Sequence, residues 1–419
     1  MSLTDDQINI VKATAPVLQQ HGVTITKVFY ENMLREVPEL NNIFNSGNQA
    51  TGKQQRALAG AVLAYATYID DLDKLKDAVE RIAHKHVSLQ VTPEQYDIVG
   101  KYLIQAIGQV LGDAATPAIV DAWISAYDFL AKIFINREGE MYKANAADGW
   151  TGWRKFRIAR KVPESSVITS FYLTPVDGER LPKYLPGQYV SVRVPVPQLG
   201  EGRLQPRQYS LSEGPSPGGE YYRISVKKED GASESNVPGL ISNLLHDKYN
   251  VGDEVEVSHP QGEFYVDPAD TSKEGVPAVL ISAGVGATPV KAILDSLTTP
   301  GAVRRPVSWI QSARSRAALP FAESVRQITR EHNNVTANIF LRNLNPDDVL
   351  GVHYEFGDMR LDLAKLDKDS HLFLNDPRAE YFVCGPEPFM IDVRSTLTAL
   401  GVDRSRIFLE LFGTGGVSD

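Results

Sequence analysis

One histidine, His86, lies in a segment whose apolar residues follow the spacing of a single helix face. Val79, Ile82 and Ala83 precede it, so that the four residues occupy the i, i+3, i+4 and i+7 positions of one stripe. His84 points about 200° away around the same helix, so the two imidazoles do not form a shared metal site. His86 is therefore predicted to be either a core histidine held by a hydrogen bond or a single metal ligand aimed into an apolar interior.

A second group of chemically capable residues follows the turn from Pro186 to Tyr189. Arginine, tyrosine and serine on one strand suit a flavin nucleotide, because they can meet a pyrophosphate, a ring system and a ring nitrogen. A glycine, a serine and an asparagine about thirty residues later open a short helix, whose free N–H groups suit a phosphate. The candidate flavin residues are Tyr189, Arg207, Gln208, Tyr209, Ser210, Gly239, Ser242 and Asn243. Four such residues also occur by chance, but the two motifs in this order favour a flavin site.

A third group lies at the ends of two apolar runs near the C-terminus. Both runs are followed by glycine and proline, and the glycines let the backbone approach a phosphate at the carboxyl edge of a sheet. The residues concerned are Gly284, Gly286, Thr288, Pro289, Cys384, Gly385 and Pro386. The glycine-rich segment departs from the Gly-x-Gly-x-x-Gly fingerprint by ending in proline. Cys384 is interpreted as a small buried residue rather than a nucleophile, because no histidine lies near it in the sequence.

Three kinds of sequence pattern must position these residues. Residues 1–146 read as helix, opened by a Thr4–Gln7 capping box and continued by amphipathic runs. These runs cover about 24–36, 53–70, 73–90, 94–111 and 117–142. Pro16, Pro38, Pro93 and Pro117 fall in first turns or between helices, where a missing N–H costs least. Six to eight helices in this length favour a globin-like packing over a four-helix bundle.

The remaining sequence divides into two further patterns. Short alternating runs between Pro/Gly turns, from 154 to about 268, predict an antiparallel β-barrel with one helix at about 238–247. From about 276, apolar strands alternate with amphipathic helices, which predicts an open parallel α/β sheet. We therefore expect a multidomain chain with an all-α domain over 1–147, a β-barrel domain over 148–270 and an α/β domain over 271–419.

Composition limits the function classes. A length of 419 residues requires more than one core, and a formal net charge of −9 argues against nucleic acid or an anionic membrane as a partner. A single cysteine excludes an intrachain disulfide framework and suits a reducing compartment. No run of 18 apolar residues occurs, and the first residues are acidic where a targeting peptide would be basic. A cytoplasmic monomer is expected.

From residue 154 onward the chain resembles the ferredoxin-NADP reductase family. Its Arg-x-Tyr-Ser, Gly-x-x-Ser, Gly-x-Gly-x-Thr-Pro and Cys-Gly-Pro motifs are all present in the segments quoted above. The resemblance implies an FAD barrel followed by a nicotinamide domain, and it makes Glu410 and Phe412 cofactor contacts, with Phe412 covering the flavin ring. Extra residues between Gly231 and Gly239, and around 343–358, depart from the family pattern.

The N-terminal domain resembles the flavohaemoglobins, so the similarity covers nearly the whole chain. It is carried by Phe29-Tyr30, Ile43-Phe44-Asn45, Asn48-Gln49, Gln54, Ile82–His86, Pro93–Asp97 and Ile135–Glu138. The resemblance implies haem b with His86 as the metal ligand, and Tyr96 and Glu138 as groups that make its imidazole more electron-donating. It implies that Tyr30 and Gln54 hydrogen-bond dioxygen, that Leu58 lies over the iron and that Phe44 contacts the porphyrin.

Structural alternatives stay open for these side chains. Tyr30 and Phe44 could be plain core aromatics, Gln54 a solvated helix residue, and Glu138 a surface charge. Their joint occurrence in order favours the functional interpretation.

The resemblance implies a nitric oxide dioxygenase, in which NADH or NADPH reduces FAD, FAD reduces haem, and haem-bound dioxygen converts nitric oxide to nitrate. The alternatives are a carrier or sensor of dioxygen or nitric oxide, and a general flavin reductase acting on ferric iron, quinones or hydroperoxides. Ser312, Arg314 and Arg316 follow the second strand of the last domain, where arginine can accept the 2′-phosphate of NADPH. Ordinary solvated charge is the competing interpretation of these arginines.

Overall fold

The computed structural model describes residues 3–216, 218–231 and 238–413, and its first region is a helical domain. The predicted capping box is present, since Thr4 and Gln7 exchange side-chain and backbone hydrogen bonds. Pro16, Pro93 and Pro117 each stand in the first turn of a helix, as expected. The helices are α1 (Asp5–Ala13), α2 (Ala15–Glu36), α3 (Ser46–Ala50), α4 (Lys53–Tyr68), α5 (Lys76–Ser88), α6 (Pro93–Leu111) and α7 (Pro117–Ala147).

Two apolar clusters hold these helices together. The larger one joins α2, α4, α6 and α7 and contains Phe29, Met33 and Trp123, all buried. Gly22 of α2 permits close packing on α4, because a Cβ there would lie 3.4 Å from the Cβ of Ala59. The smaller cluster packs α5 and α6 against α7. The two clusters share partly buried side chains and form one continuous interior.

The second region is an antiparallel six-stranded sheet. Its strands are β1 (Arg154–Pro163), β2 (Ile168–Pro175), β3 (Tyr189–Pro195), β4 (Leu204–Ser210), β5 (Tyr222–Lys227) and β6 (Glu254–Val257), and α8 (Leu240–Asp247) lies between β5 and β6. The strand order is β4-β3-β6-β1-β2-β5. A bridge between Leu211 and Ile224 joins the two end strands, so the sheet closes into the expected barrel. Inward-facing aliphatic and aromatic residues fill its interior.

The third region is a parallel six-stranded sheet with helices on both faces. Its elements are β7 (Ala278–Ala283), α9 (Ala287–Leu297), β8 (Val307–Ala313), α10 (Ala322–Glu331), β9 (Val335–Leu341), β10 (Phe356–Gly357), β11 (Glu380–Cys384), α11 (Glu387–Ala399) and β12 (Ile407–Glu410). The order is β10-β9-β8-β7-β11-β12, so the winding reverses between β7 and β11. Ligands of such sheets bind at the carboxyl edge beside this reversal. None of the helices in the described ranges could cross a membrane.

Candidate active site

His86 belongs to a three-residue hydrogen-bonded group built from α5, α6 and α7. Its Nδ1 lies 2.8 Å from Oε1 of Glu138 and 2.9 Å from the hydroxyl oxygen of Tyr96. The Tyr96 hydroxyl donates to the same Oε1 at 2.6 Å. Glu138 is 3% exposed and is therefore not a surface charge. Helices that are distant in sequence thus bring together three side chains predicted to act together.

This arrangement fixes what the imidazole can do. Burial, together with the nearby carboxylate of Glu138, raises the pKa of Tyr96 well above its usual value, so its hydroxyl stays protonated and donates. Glu138 then accepts from both Tyr96 and the N–H at Nδ1 of His86, which leaves Nε2 with its lone pair. No side chain in the described ranges hydrogen-bonds Nε2. The donor set fits a haem iron held by one neutral, electron-rich histidine.

The residues predicted to contact dioxygen and the porphyrin meet at the junction of α2, α4 and the segment before α3. Tyr30 is 4% exposed, and its ring contacts the ring of Phe44 edge-on, with 5.3 Å between centroids. The side chain of Gln54 lowers the pKa of Tyr30, but burial raises it by more. The hydroxyl of Tyr30 therefore stays protonated and can donate. Leu58, one turn beyond Gln54 on α4, packs partly buried against the same cluster.

The candidate flavin residues line strands β3 and β4. Tyr189 pairs with Ser210, and Val190 pairs with Tyr209, in the antiparallel register. Ser210 is buried, and its hydroxyl has no hydrogen-bond partner within the described ranges. A buried, unpaired hydroxyl is costly unless a ligand satisfies it, so this position fits a flavin ring nitrogen. Burial raises the pKa of Tyr209 and lowers that of Arg207.

The segment that opens α8 has the features of a phosphate site. A Cβ at Gly239 would lie 2.3 Å from Oγ of Ser242 and 2.8 Å from Cβ of Glu229, so only glycine fits there. Asn243 donates to the carbonyl of Glu229, while its own buried Oδ1 is left unpaired among the described residues. Most of the extra residues between Gly231 and Gly239 lie outside the described residues.

The third predicted group meets where the sheet winding reverses. Gly284 has φ +57°, which favours glycine, and a Cβ at Gly286 would lie 2.3 Å from the carbonyl oxygen of Cys384. Thr288 lies in the first turn of α9 and donates to the carbonyl of Val285 at 2.9 Å. Pro289 follows in the first turn of α9, while Gly385 and Pro386 follow β11. Burial raises the pKa of the Cys384 thiol, which supports its interpretation as a small buried residue.

The two arginines predicted for NADPH differ in their surroundings. Ser312 and Arg314 lie at the carboxyl end of β8, and Arg314 is exposed. Arg316 instead contacts two aspartates, with Nη1 3.5 Å from Asp347 and 3.3 Å from Asp348. The segment around 343–358, noted in the sequence as extra, therefore partly neutralises Arg316.

The C-terminal residues reach back to the helical domain. Burial and the neighbouring Glu263 raise the pKa of Glu410 to about 8, against the opposing effect of Lys85. The ammonium of Lys85 donates to the carbonyl of Gly413 at 2.8 Å. Phe412 is 47% exposed, so part of its ring surface is open to stacking on a planar ligand. The sequence shows Lys85 next to His86 but carries no local signal for its contact with Gly413, which was not predicted.

Comparisons with known proteins agree with this geometry. A family model described as Globin matches residues 27–134, and one described as Oxidoreductase NAD-binding domain matches residues 280–395. A protein named Flavohemoprotein from Bordetella pertussis is 48% identical over 411 residues, covering 98% of both chains.

Two solved structures are also similar. The flavohemoglobin of Malassezia yamatoensis, determined with bound FAD and heme, has a TM-score of 0.84 at 31% identity and covers 99% of this chain and 100% of its own. The flavohem-like FAD/NAD-binding domain of nitric oxide dioxygenase from Vibrio cholerae has a TM-score of 0.51 at 37% identity, and covers 62% of this chain and 98% of its own. The chain therefore belongs to the flavohaemoprotein family, as an NAD(P)H-dependent oxidoreductase with haem and FAD as cofactors.

Proposed function

We propose that the protein is a nitric oxide dioxygenase, which uses NAD(P)H and dioxygen to convert nitric oxide to nitrate. The observation that carries the proposal is the Glu138 carboxylate on Nδ1 of His86, because a more electron-donating ligand favours oxygen chemistry over oxygen storage. The similarity to a domain of the Vibrio cholerae nitric oxide dioxygenase supports the same reaction. When bound, haem supplies the iron for that reaction and FAD converts hydride equivalents into single electrons.

The chain's own residues have separate proposed roles. His86 would hold the iron, while Glu138 and Tyr96 orient its ring and favour the tautomer whose proton is on Nδ1. Tyr30 donates a hydrogen bond to dioxygen, Gln54 orients that hydroxyl, and Leu58 and Phe44 keep the distal side apolar. The site residues of β3, β4 and α8 named above, with Glu410 and Phe412, bind FAD.

The residues at the winding reversal have the proposed role of binding the nicotinamide nucleotide. Ser312 and Arg314 are proposed to accept the 2′-phosphate of NADPH, with a smaller contribution from the partly neutralised Arg316. The domain boundaries given above, a monomeric state and a cytoplasmic location stay predictions.

The test is nitric oxide consumption in air by the purified holoprotein, with NADH or NADPH as reductant and nitrate assayed. We expect oxygen-dependent nitrate formation that His86→Ala abolishes, while the variant still reduces an artificial acceptor through its flavin. NAD(P)H oxidation without nitrate in the parent protein would instead favour a general reductase. Negligible NAD(P)H oxidation by protein replete in both cofactors would favour a carrier or sensor.

A further inference from the structure

The helix that carries His86 meets the reductase along one polar stripe. Arg81, His84, Lys85 and Ser88 follow the i, i+3, i+4, i+7 spacing, so their side chains share one face of α5. His86 is about 200° from Ser88 and points to the opposite side. One helix thus presents its metal ligand to the globin interior and a separate polar face to the rest of the chain.

The four residues of this α5 stripe contact three segments of the β-barrel and α/β domains. Nη1 of Arg81 lies 3.9 Å from Oε1 of Glu263, and Nδ1 of His84 accepts from the N–H of Gly262 at 3.2 Å. Nζ of Lys85 donates to the carbonyl of Gly413 at 2.8 Å. Oγ of Ser88 accepts from Oγ of Ser191 at 3.0 Å. Ser191 belongs to β3, Gly262 and Glu263 lie in the segment after β6, and Gly413 follows β12. The stripe is therefore where the β-barrel and α/β domains contact α5, the helix that carries His86.

The contact between Ser88 and Ser191 differs from the others in burial and reach. Both serines are 0% exposed, whereas Arg81 and Glu263 are 44% and 37% exposed at their side chains. A long side chain on the surface can follow a moving partner, but a serine hydroxyl has one rotatable bond to its backbone. The serine pair therefore tolerates the least change in the distance between α5 and β3.

The same pair belongs to a directed chain of hydrogen bonds. Gln208 donates from Nε2 to Oγ of Ser191 at 3.3 Å, Ser191 donates to Ser88, and Ser88 donates to the carbonyl of Lys85 at 2.8 Å. Each hydroxyl gives one hydrogen bond and receives one, so the buried network is satisfied. Its ends are a candidate flavin residue on β4 and the backbone of α5 immediately before His86.

We propose that Ser88 and Ser191 are positioning residues that set the separation between His86 and the flavin-binding strands. The inference rests on the proposed function, in which electrons must cross from the barrel to the helical domain. Displacing reacting groups by about 1 Å can cost about 100-fold in rate, so a buried link of this kind has a measurable role.

The experiment compares Ser88→Ala, Ser191→Ala and the double variant with the parent, all as holoprotein. Ser170→Ala is the matched control, because Ser170 is also buried and lies 2.7 Å from the hydroxyl of Ser225, but inside the barrel. Three quantities are measured: flavin reduction by NADH without oxygen, the haem reduction that follows, and hydrogen exchange of the amides in α5 and β3.

We expect the rate of flavin reduction to be unchanged and haem reduction to be about tenfold slower in each single variant than in the parent. The double variant should be no slower than either single variant, because the two hydroxyls form one contact. Hydrogen exchange in α5 and β3 should be faster than in the parent. The control should match the parent in all three. The inference would be overturned if the rates of haem reduction and hydrogen exchange in Ser88→Ala equalled those of the parent. It would also be overturned if the losses in haem reduction of the two single variants multiplied in the double variant. If the parent protein forms no nitrate, only the proposed function is refuted. The positioning role of the two serines is still decided by hydrogen exchange in α5 and β3.

Discussion

Glu138 and His86 lie 52 residues apart in the sequence, yet Oε1 of the glutamate is 2.8 Å from Nδ1 of the histidine. Glu138→Gln keeps an oxygen that can accept this bond but removes the negative charge. We expect the variant to bind haem and to lose about 10- to 100-fold in nitric oxide consumption, because the imidazole becomes less electron-donating. The measurement is nitrate formation in air at matched haem content.

Glu140→Gln is the control for this charge removal. Glu140 lies on the same helix, and its side chain is 70% exposed beside Arg137. Its variant should consume nitric oxide within about twofold of the parent, since an exposed ion pair of this kind contributes about 1 kcal/mol at most. Equal rates in the parent and Glu138→Gln would refute the role assigned to Glu138.

A second prediction concerns the distal hydroxyl. Tyr30→Phe keeps the ring contacts with Phe29 and Phe44 and removes only the hydrogen-bond donor. We expect dioxygen to leave the reduced protein at least about tenfold faster, because a hydrogen bond to a charged or polarised group contributes about 1.5–3 kcal/mol. Stopped-flow displacement of dioxygen measures this rate.

Tyr65→Phe is the matched control in the same helical core. Its hydroxyl donates to the carbonyl of Ala126 at 2.8 Å and is equally buried, so its loss should lower thermal stability without changing dioxygen release. If both variants release dioxygen at the parental rate, Tyr30 is only a core aromatic.

Helix positions and motif positions were readable from the sequence because they depend on local spacing. The apolar period predicted α5, and Pro93 and Pro117 indicated where α6 and α7 begin. The strand β4 carries the flavin motif but has little apolar alternation, and the short edge strand β12 lies against β11 only through tertiary pairing. The contact between Ser88 and Ser191 links residues 103 positions apart, and no local pattern encodes it.

The third prediction uses the close approach of β7 and β11. Gly286→Ala would place a Cβ 2.3 Å from the carbonyl oxygen of Cys384, so the two strand ends must separate. We expect a loss of about 1–3 kcal/mol in the stability of the nicotinamide domain and weaker NADH binding. Thermal unfolding and the KM for NADH report these effects.

Gly108→Ala provides the comparison, because no atom lies within 4 Å of a Cβ at that position in α6. The added methyl group should stabilise the helix by about 0.5–1 kcal/mol. Equal thermal midpoints for Gly286→Ala and the parent would show that the strand ends adjust freely.

Selectivity between NADPH and NADH gives the fourth prediction. Arg314→Ala should lower the ratio of kcat/KM for NADPH to that for NADH by about tenfold, since an exposed guanidinium is available to a 2′-phosphate. Arg316→Ala should change this ratio less, because Asp347 and Asp348 already contact Arg316. An unchanged ratio in the double variant would leave both arginines as ordinary surface charge.

The fifth prediction concerns acid stability. Burial lowers the pKa of His259 and of His246 below the ordinary value of 6.5. Below that value the unfolded chain binds protons that the folded chain does not, so the free energy of unfolding falls as the pH falls. His259→Gln removes one such group, and its thermal midpoint should decline less steeply below about pH 6.5 than that of the parent. Parallel declines would contradict the prediction.

The contact between Lys85 and Gly413 joins residues 328 positions apart. At a synthesis rate of about 5–20 residues per second, the ribosome completes the second partner tens of seconds after the first. Until its partners have been made, the α5 stripe is open to water, to which the charged and polar side chains of Arg81, His84 and Lys85 are suited. A polar face therefore also limits non-specific association of the helical domain while the rest of the chain is being made.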